Sequence, residues 1–226
     1  MTKRSLILRL MSILSFALTL TIWYWVLNRQ FDHVQALIII VGGVAGVFPV
    51  VWVGRRTLDA KPTIDRTAWV TSIVHFAIMV LLGAAIVEAA RTGETWQGWV
   101  MPVPAGVGLA LMMATGTALL LTVVNLALQG LGAPFAIALT RRLATNWMYA
   151  WTRNPMVLSL LAFLVSLGIW FRSFLFVLWV LALVTPAMIV YLKVYEEREL
   201  EIRFGASYLE YKAKKPMLWP RKPRER

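Results

Sequence analysis

Six apolar runs, each near the length needed to cross a lipid bilayer, constrain this chain more than any other feature. They cover roughly 6–27, 35–54, 68–90, 103–128, 156–171 and 174–192. A helix needs about 20 apolar residues to span ~30 Å of hydrocarbon, where every backbone polar group must be paired within the structure. The last two runs are short and closely linked, which predicts a helical hairpin. With 59% hydrophobic and 15% charged residues among 226, and a mean hydropathy of +0.69, the chain carries more apolar surface than one water-soluble core could bury. The expected fold is all-α, a polytopic membrane helical bundle of about six transmembrane helices.

A net charge of +12 would suit a nucleic-acid binder, but its distribution points to membrane topology instead. Lys3 and Arg4 precede the first run and Arg9 lies at its start, and Arg55, Arg56, Lys61 and Arg66 follow the second. Arg141, Arg142 and Arg153 follow the fourth, and ten more basic residues lie from Lys193 onward. The intervening loops hold Arg29, Arg91 and Arg172. The positive-inside rule then places both termini in the cytoplasm and requires an even number of spans. No nucleic-acid partner is expected. The first run reads as a retained helix, because it is long for a signal peptide and no small-x-small site follows Leu27. With no cysteine, disulfides, thiolate metal sites and a cysteine nucleophile are excluded. No metal site is expected.

Residues 1–128 form an expected four-helix membrane region, and 129–226 a second region of interfacial loop, hairpin and cytoplasmic tail. Polar residues inside the first three runs are few. His75 reads as hydrogen-bonded packing, and Glu88, near the end of its run, as a carboxylate snorkelling to the outer interface. Trp23, Tyr24 and Trp25, with Trp96 and Trp99, sit where an aromatic belt would lie. Gly42-Gly43-x-x-Gly46 and Gly106, Gly108 and Gly116 would let helices approach closely, within the bundle rather than across a dimer. Oligomeric state is left open. Between Gln129 and Thr152, Phe135, Ile137, Leu139 and Leu143 suggest an amphipathic segment at the inner interface.

The densest chemistry lies nearer the C-terminus. Pro155 follows Arg153-Asn154 at the start of the fifth run, and proline is tolerated in a first helical turn because those amides are unbonded. Arg153 and Asn154 are expected to cap that helix and offer donors to an anion. Pro186 should loosen the sixth helix. Beyond Lys193 the helix is expected to continue, with Glu196, Leu200 and Phe204 on one face and Glu197 beside it. The plainer reading is a solvated acidic patch paired with Arg198 and Arg203. Two carboxylates, an arginine and several tyrosines could hold a zwitterion that also bears a cation, such as S-adenosylmethionine. NADPH or a phospholipid head group would satisfy many of the same groups.

Tyr149-Ala-Trp-Thr-Arg153-Asn154-Pro155-Met156, a two-run hairpin, and Glu196-Glu197-x-x-Leu200-x-x-x-Phe204-Gly205-x-x-Tyr208-x-x-Tyr211 together resemble the isoprenylcysteine carboxyl methyltransferase and phospholipid methyltransferase superfamily. The resemblance spans about residues 130–220, includes the Pro216–Pro220 tail, and does not extend to the first hundred residues. It departs at Val157 and Ser159, where the family often has tyrosine and glycine, and at Trp147 and Met148, where a glycine is common.

The resemblance implies a helical membrane bundle binding S-adenosylmethionine in a cytoplasmic-side pocket. Arg153, Asn154, Glu196 and Glu197 would line that pocket, with Tyr149 at its entrance. Tyr208 and Tyr211 would order the covering tail, anchored by Phe204. Arg153 and Glu197 would be the catalytic pair acting on the carboxylate or amine of a lipid-like or prenylated substrate, and Glu197 would serve as base for an amine. The basic tail would grip anionic membrane lipids. The alternatives are an NADPH-dependent enzyme like the membrane sterol reductases and a non-catalytic membrane scaffold or transporter.

Overall fold

Five helices of the computed structural model, which describes residues 3–93, 100–130 and 142–222, are long and apolar enough to cross a membrane. They cover Leu10–Asn28, His33–Ala60, Ile64–Gly93, Ala105–Gln129 and Phe174–Phe204. The chain is thus an all-α integral membrane protein. In order, the helices are α1 (Lys3–Asn28), α2 (His33–Ala45), α3 (Val47–Ala60), α4 (Ile64–Gly93), α5 (Ala105–Gly130) and α6 (Pro155–Trp170). The last long helix comprises α7 (Phe174–Trp179), α8 (Thr185–Val190) and α9 (Glu197–Phe204), joined by wider π turns, and α10 (Ala206–Lys214) follows it.

All six apolar runs are helical, but the last two are unequal. Helix α6 has 16 residues, about 24 Å at 1.5 Å per residue, less than the hydrocarbon core. Its partner in the hairpin is not short: the helix runs 31 residues, from Phe174 to Phe204. Continuation past Lys193 is as the sequence predicts.

Helix α4 is the hub. Its buried Thr67, Thr71, Val74, Ile78, Leu82, Ala85 and Ala89 recur every three or four residues, one continuous stripe of a helix. Helices α1, α2 and α3 pack on it, and α5 packs along α6. The main core forms where α3, α4 and the last helix meet, at Val47, Val51, Leu58, Val74, Val180, Val184 and Leu192.

In lipid, apolar contact between helices gains little over contact with acyl chains, so close backbone approach matters more. Of the predicted small residues, Gly43 and Gly108 serve that role inside the bundle. A Cβ on Gly43 would stand 2.4 Å from the Leu81 carbonyl oxygen, and one on Gly108 2.4 Å from the Trp170 backbone. Gly106, by contrast, meets nothing within 4 Å. Gly108→Val should therefore force α5 off α6 and destabilise the protein by about 3 kcal/mol, whereas Gly106→Val should leave thermal unfolding in detergent unchanged. Equal melting of the two variants would contradict this packing.

Two expectations need correction. Trp23 is not a belt residue: its Nε1 donates to the Met79 carbonyl at 3.0 Å, over the gap left by Gly83. Tyr24 and Trp25 are the exposed members of that group. Glu88 does not snorkel; it is fully buried, and Arg91 reaches back to it at 2.6 Å. An intramembrane carboxylate is costly unless paired, and a cation one turn away supplies the pair locally. The expected belt at Trp96 and Trp99, and most of the expected amphipathic segment, lie outside the described residues.

Pro186 stands at the start of α8 between two π turns, Val180–Val184 and Tyr191–Glu196. Near the first, the Thr185 hydroxyl donates to the Val180 carbonyl at 2.9 Å. Such turns shift helical register, and the second one carries Tyr191, Tyr195 and Glu196 into the site.

Candidate functional site

A single 3₁₀ turn, Trp147–Ala150, leads into the Arg153-Asn154-Pro155 element. Proline opens α6 as expected, but Asn154 makes no side-chain cap. Its Nδ2 instead donates to the Met217 carbonyl at 3.0 Å. The Thr152 hydroxyl donates to the same carbonyl at 2.9 Å, the Arg153 amide to Pro216 at 2.9 Å, and the Arg221 amide to the Trp151 carbonyl at 3.0 Å. The tail after α10 is thereby strapped along residues 151–154. The capping expectation fails because a partner about 63 residues away in sequence takes the side chain.

Arg153 is held from two elements. One guanidinium nitrogen, Nη1, lies 2.8 Å from Glu197 Oε1 and donates to the Tyr208 hydroxyl at 3.2 Å. Glu197 Oε2 is taken by Lys212 at 2.7 Å; that hydrogen bond raises the lysine's pKa above its ordinary value. Tyr211 donates to the Tyr149 carbonyl at 2.6 Å. Burial lifts the phenols of Tyr149, Tyr208 and Tyr211 above the usual range, so they stay neutral.

These groups border a cavity of about 120 Å³ lined by Arg153, Asn154, Tyr149, Tyr208, Tyr211 and Glu196, with Leu200 and Phe204 below the α9 face. The structure thus brings together every predicted site residue except Glu197, which stands behind the lining in its ion pairs with Arg153 and Lys212. Two buried side-chain atoms here have no hydrogen-bond partner: Arg153 Nε and Glu196 Oε2. A buried donor of a cation and a buried carboxyl oxygen are each costly to leave unpaired.

Sequence reasoning missed part of this site. Glu199 and Arg203 also line the cavity; they pair with each other, and Glu199 is only 3% exposed. The solvated-patch reading is therefore wrong for this pair. It suits Arg198, which reaches Asp59 at 2.8 Å and Glu201 at 3.6 Å on the outer side. Helix α4 contributes the cavity floor. Thr71 Oγ1 and the Tyr195 hydroxyl are 3.0 Å apart. His75 Nδ1 lies 2.8 Å from the Thr71 carbonyl, which requires a proton on Nδ1. Nε2 then accepts from the Tyr191 hydroxyl at 2.8 Å. His75 is hydrogen-bonded packing, as predicted, and lines the cavity as well. The Thr71–His75 spacing was the available signal, since both fall on one face of a helix.

Gly205 makes the corner that turns the chain from α9 into α10, with φ 52° and ψ −129°, a conformation open to glycine and strained for other residues. A Cβ there would meet nothing within 4 Å, so backbone strain alone sets the effect of Gly205→Ala. That variant should lose about 1–3 kcal/mol of stability, read by thermal unfolding, and no loss would argue against this corner.

Among the described residues no group of three or more histidine, aspartate or glutamate side chains is placed to hold a metal ion. No protein-family model, curated protein or solved structure matches the chain.

Proposed function

We propose that this protein is an integral membrane S-adenosylmethionine-dependent methyltransferase acting on a lipid-like substrate. The observation that carries the reading is the pair of unpartnered buried atoms, Arg153 Nε and Glu196 Oε2, at one cavity. An α-amino acid group complements both, its carboxylate taken by the guanidinium and its ammonium by the glutamate. The tyrosines around it offer faces for a sulfonium. The cavity of about 120 Å³ is smaller than the roughly 300–1,000 Å³ of a typical small-molecule site. It matches the amino-acid end of the cofactor; the remainder requires the α10 side to move outward from α6.

When bound, the cofactor would supply a methyl group already activated by positive sulfur. The chain's part is then to align and desolvate. A carboxylate acceptor arrives ionised and requires no base. An amine must first lose a proton, and neither predicted glutamate is free to take it: Arg153 and Lys212 occupy both oxygens of Glu197, and the cofactor's ammonium would take Glu196 Oε2, so a carboxylate acceptor suits the site better. Glu197 accordingly becomes a positioning residue for Arg153. The charge distribution along the loops supports cytoplasmic termini and a site at the inner membrane face, open to lipid-like or prenylated substrates from the bilayer.

Calorimetric titration of the detergent-purified protein with S-adenosylhomocysteine, beside NADPH, tests this reading. Saturable binding of S-adenosylhomocysteine alone is expected. Binding of NADPH alone would favour a reductase, and binding of neither a scaffold; both results would overturn the proposal.

A further inference from the structure

A second, larger cavity lies at the opposite end of α4. It has a volume of about 610 Å³ and is lined by Ala36 and Ile40 of α2, Ala89 of α4, and Phe176, Trp179 and Ala182 of the last long helix. Its polar residues, His33, Thr92 and Ser173, all sit at helix ends. The groove is therefore graded, polar at its rim and apolar below. Leu37, Val41, Leu178 and Leu183 beside it are exposed, so it opens toward lipid.

Trp179 adds a specific requirement. Its indole Nε1 is buried without a hydrogen-bond partner, and a donor at hydrocarbon depth needs an acceptor. Its depth can be estimated from the helices. Helix α4, with 30 residues, is about 45 Å long, the thickness of a bilayer with its head groups. Its end, Gly93, is level with Ser173, whose Oγ lies 3.7 Å from a Cβ built on that glycine. Trp179 lies six residues further along, about 9 Å deeper. The head-group and glycerol-ester layer is roughly 5–7 Å thick, so the Trp179 backbone lies about 2–4 Å beneath the ester level, a separation an indole side chain spans. A second copy of the chain would cover the apolar wall, but its helical carbonyls are already bonded internally at that depth.

We propose that this groove retains one ester-linked glycerolipid, with an acyl chain along Ile40, Phe176 and Ala182 and an ester carbonyl accepting from Trp179 Nε1. The site is independent of the cofactor cavity: Thr71 and Ala89 on α4 are about 27 Å apart.

The test is native mass spectrometry of the full chain, extracted in mild detergent and then offered equal amounts of ester-linked and ether-linked phosphatidylcholine of matched chain length. One retained lipid is expected, with the ester form favoured about fivefold, the usual net value of one hydrogen bond. Trp179→Phe should keep the lipid but abolish the preference, because the ether analogue differs by lacking the carbonyl. Ala182→Trp should fill the groove and exclude the lipid. No retained lipid, no ester preference, or a preference that survives Trp179→Phe would each overturn the proposal, as would a dimer mass without lipid.

Discussion

Arg153→Ala should weaken S-adenosylhomocysteine binding about a hundredfold, equivalent to ~2.7 kcal/mol, while the bundle stays folded. The guanidinium performs two separable tasks. Nη1 ties α6 to Glu197 and Tyr208 across the cavity, and Nε is left without a partner in a buried setting. Removing one member of a buried ion pair usually costs several kcal/mol, because the other charge is stranded. Here Glu197 retains Lys212 at 2.7 Å, so the cost to folding should be held to about 1–2 kcal/mol and the larger loss should appear in binding. Arg153→Lys should recover part of the affinity, since it restores charge without the fork. Calorimetry and thermal unfolding on the same preparations separate the two tasks. A folded Arg153→Ala protein with unchanged affinity would refute the proposed role of Nε.

The helices were legible because their signal is local. A predominantly apolar run of about twenty residues, as in α4 or α5, has few alternatives in a membrane, and Pro155 marks a helix start by its own chemistry. The site was legible in part for the same reason: Glu196, Leu200 and Phe204 share a helical face, and the structure puts all three at the cavity. What could not be read depends on partners distant in sequence. Trp23 leaves the interface for a carbonyl 56 residues away, and Asn154 abandons its cap for the tail. Glu88 reads as interfacial because its place near the end of a run does not reveal which face of a helix is covered, and nothing singles out Glu199 among the charges of α9. The π turn at Tyr191–Glu196 shifts register without a sequence mark of its own, so nothing in the sequence separates the roles of Glu196 and Glu197.

Ending the chain after Lys214 should be as damaging to binding as the loss of Arg153, although it removes no cavity-lining side chain. The strap engages four groups of residues 151–154 in hydrogen bonds, through the carbonyls of Pro216 and Met217 and the amide of Arg221. At about 0.5–1.5 kcal/mol each, they hold that segment by roughly 2–6 kcal/mol in total. Without them, the Arg153 amide and the Asn154 side chain lose their acceptors, and Arg153 must find its position without a fixed backbone. The consequence is a loss of preorganisation, which appears in affinity because the ordering cost is transferred to the binding step. Hydrogen exchange at residues 151–154 should rise in the truncated protein while exchange in α4 stays unchanged, and affinity for S-adenosylhomocysteine should fall about a hundredfold. Protection unchanged at 151–154 would mean that α6 and Tyr211 suffice to hold the site, and the strap would then have no part in binding.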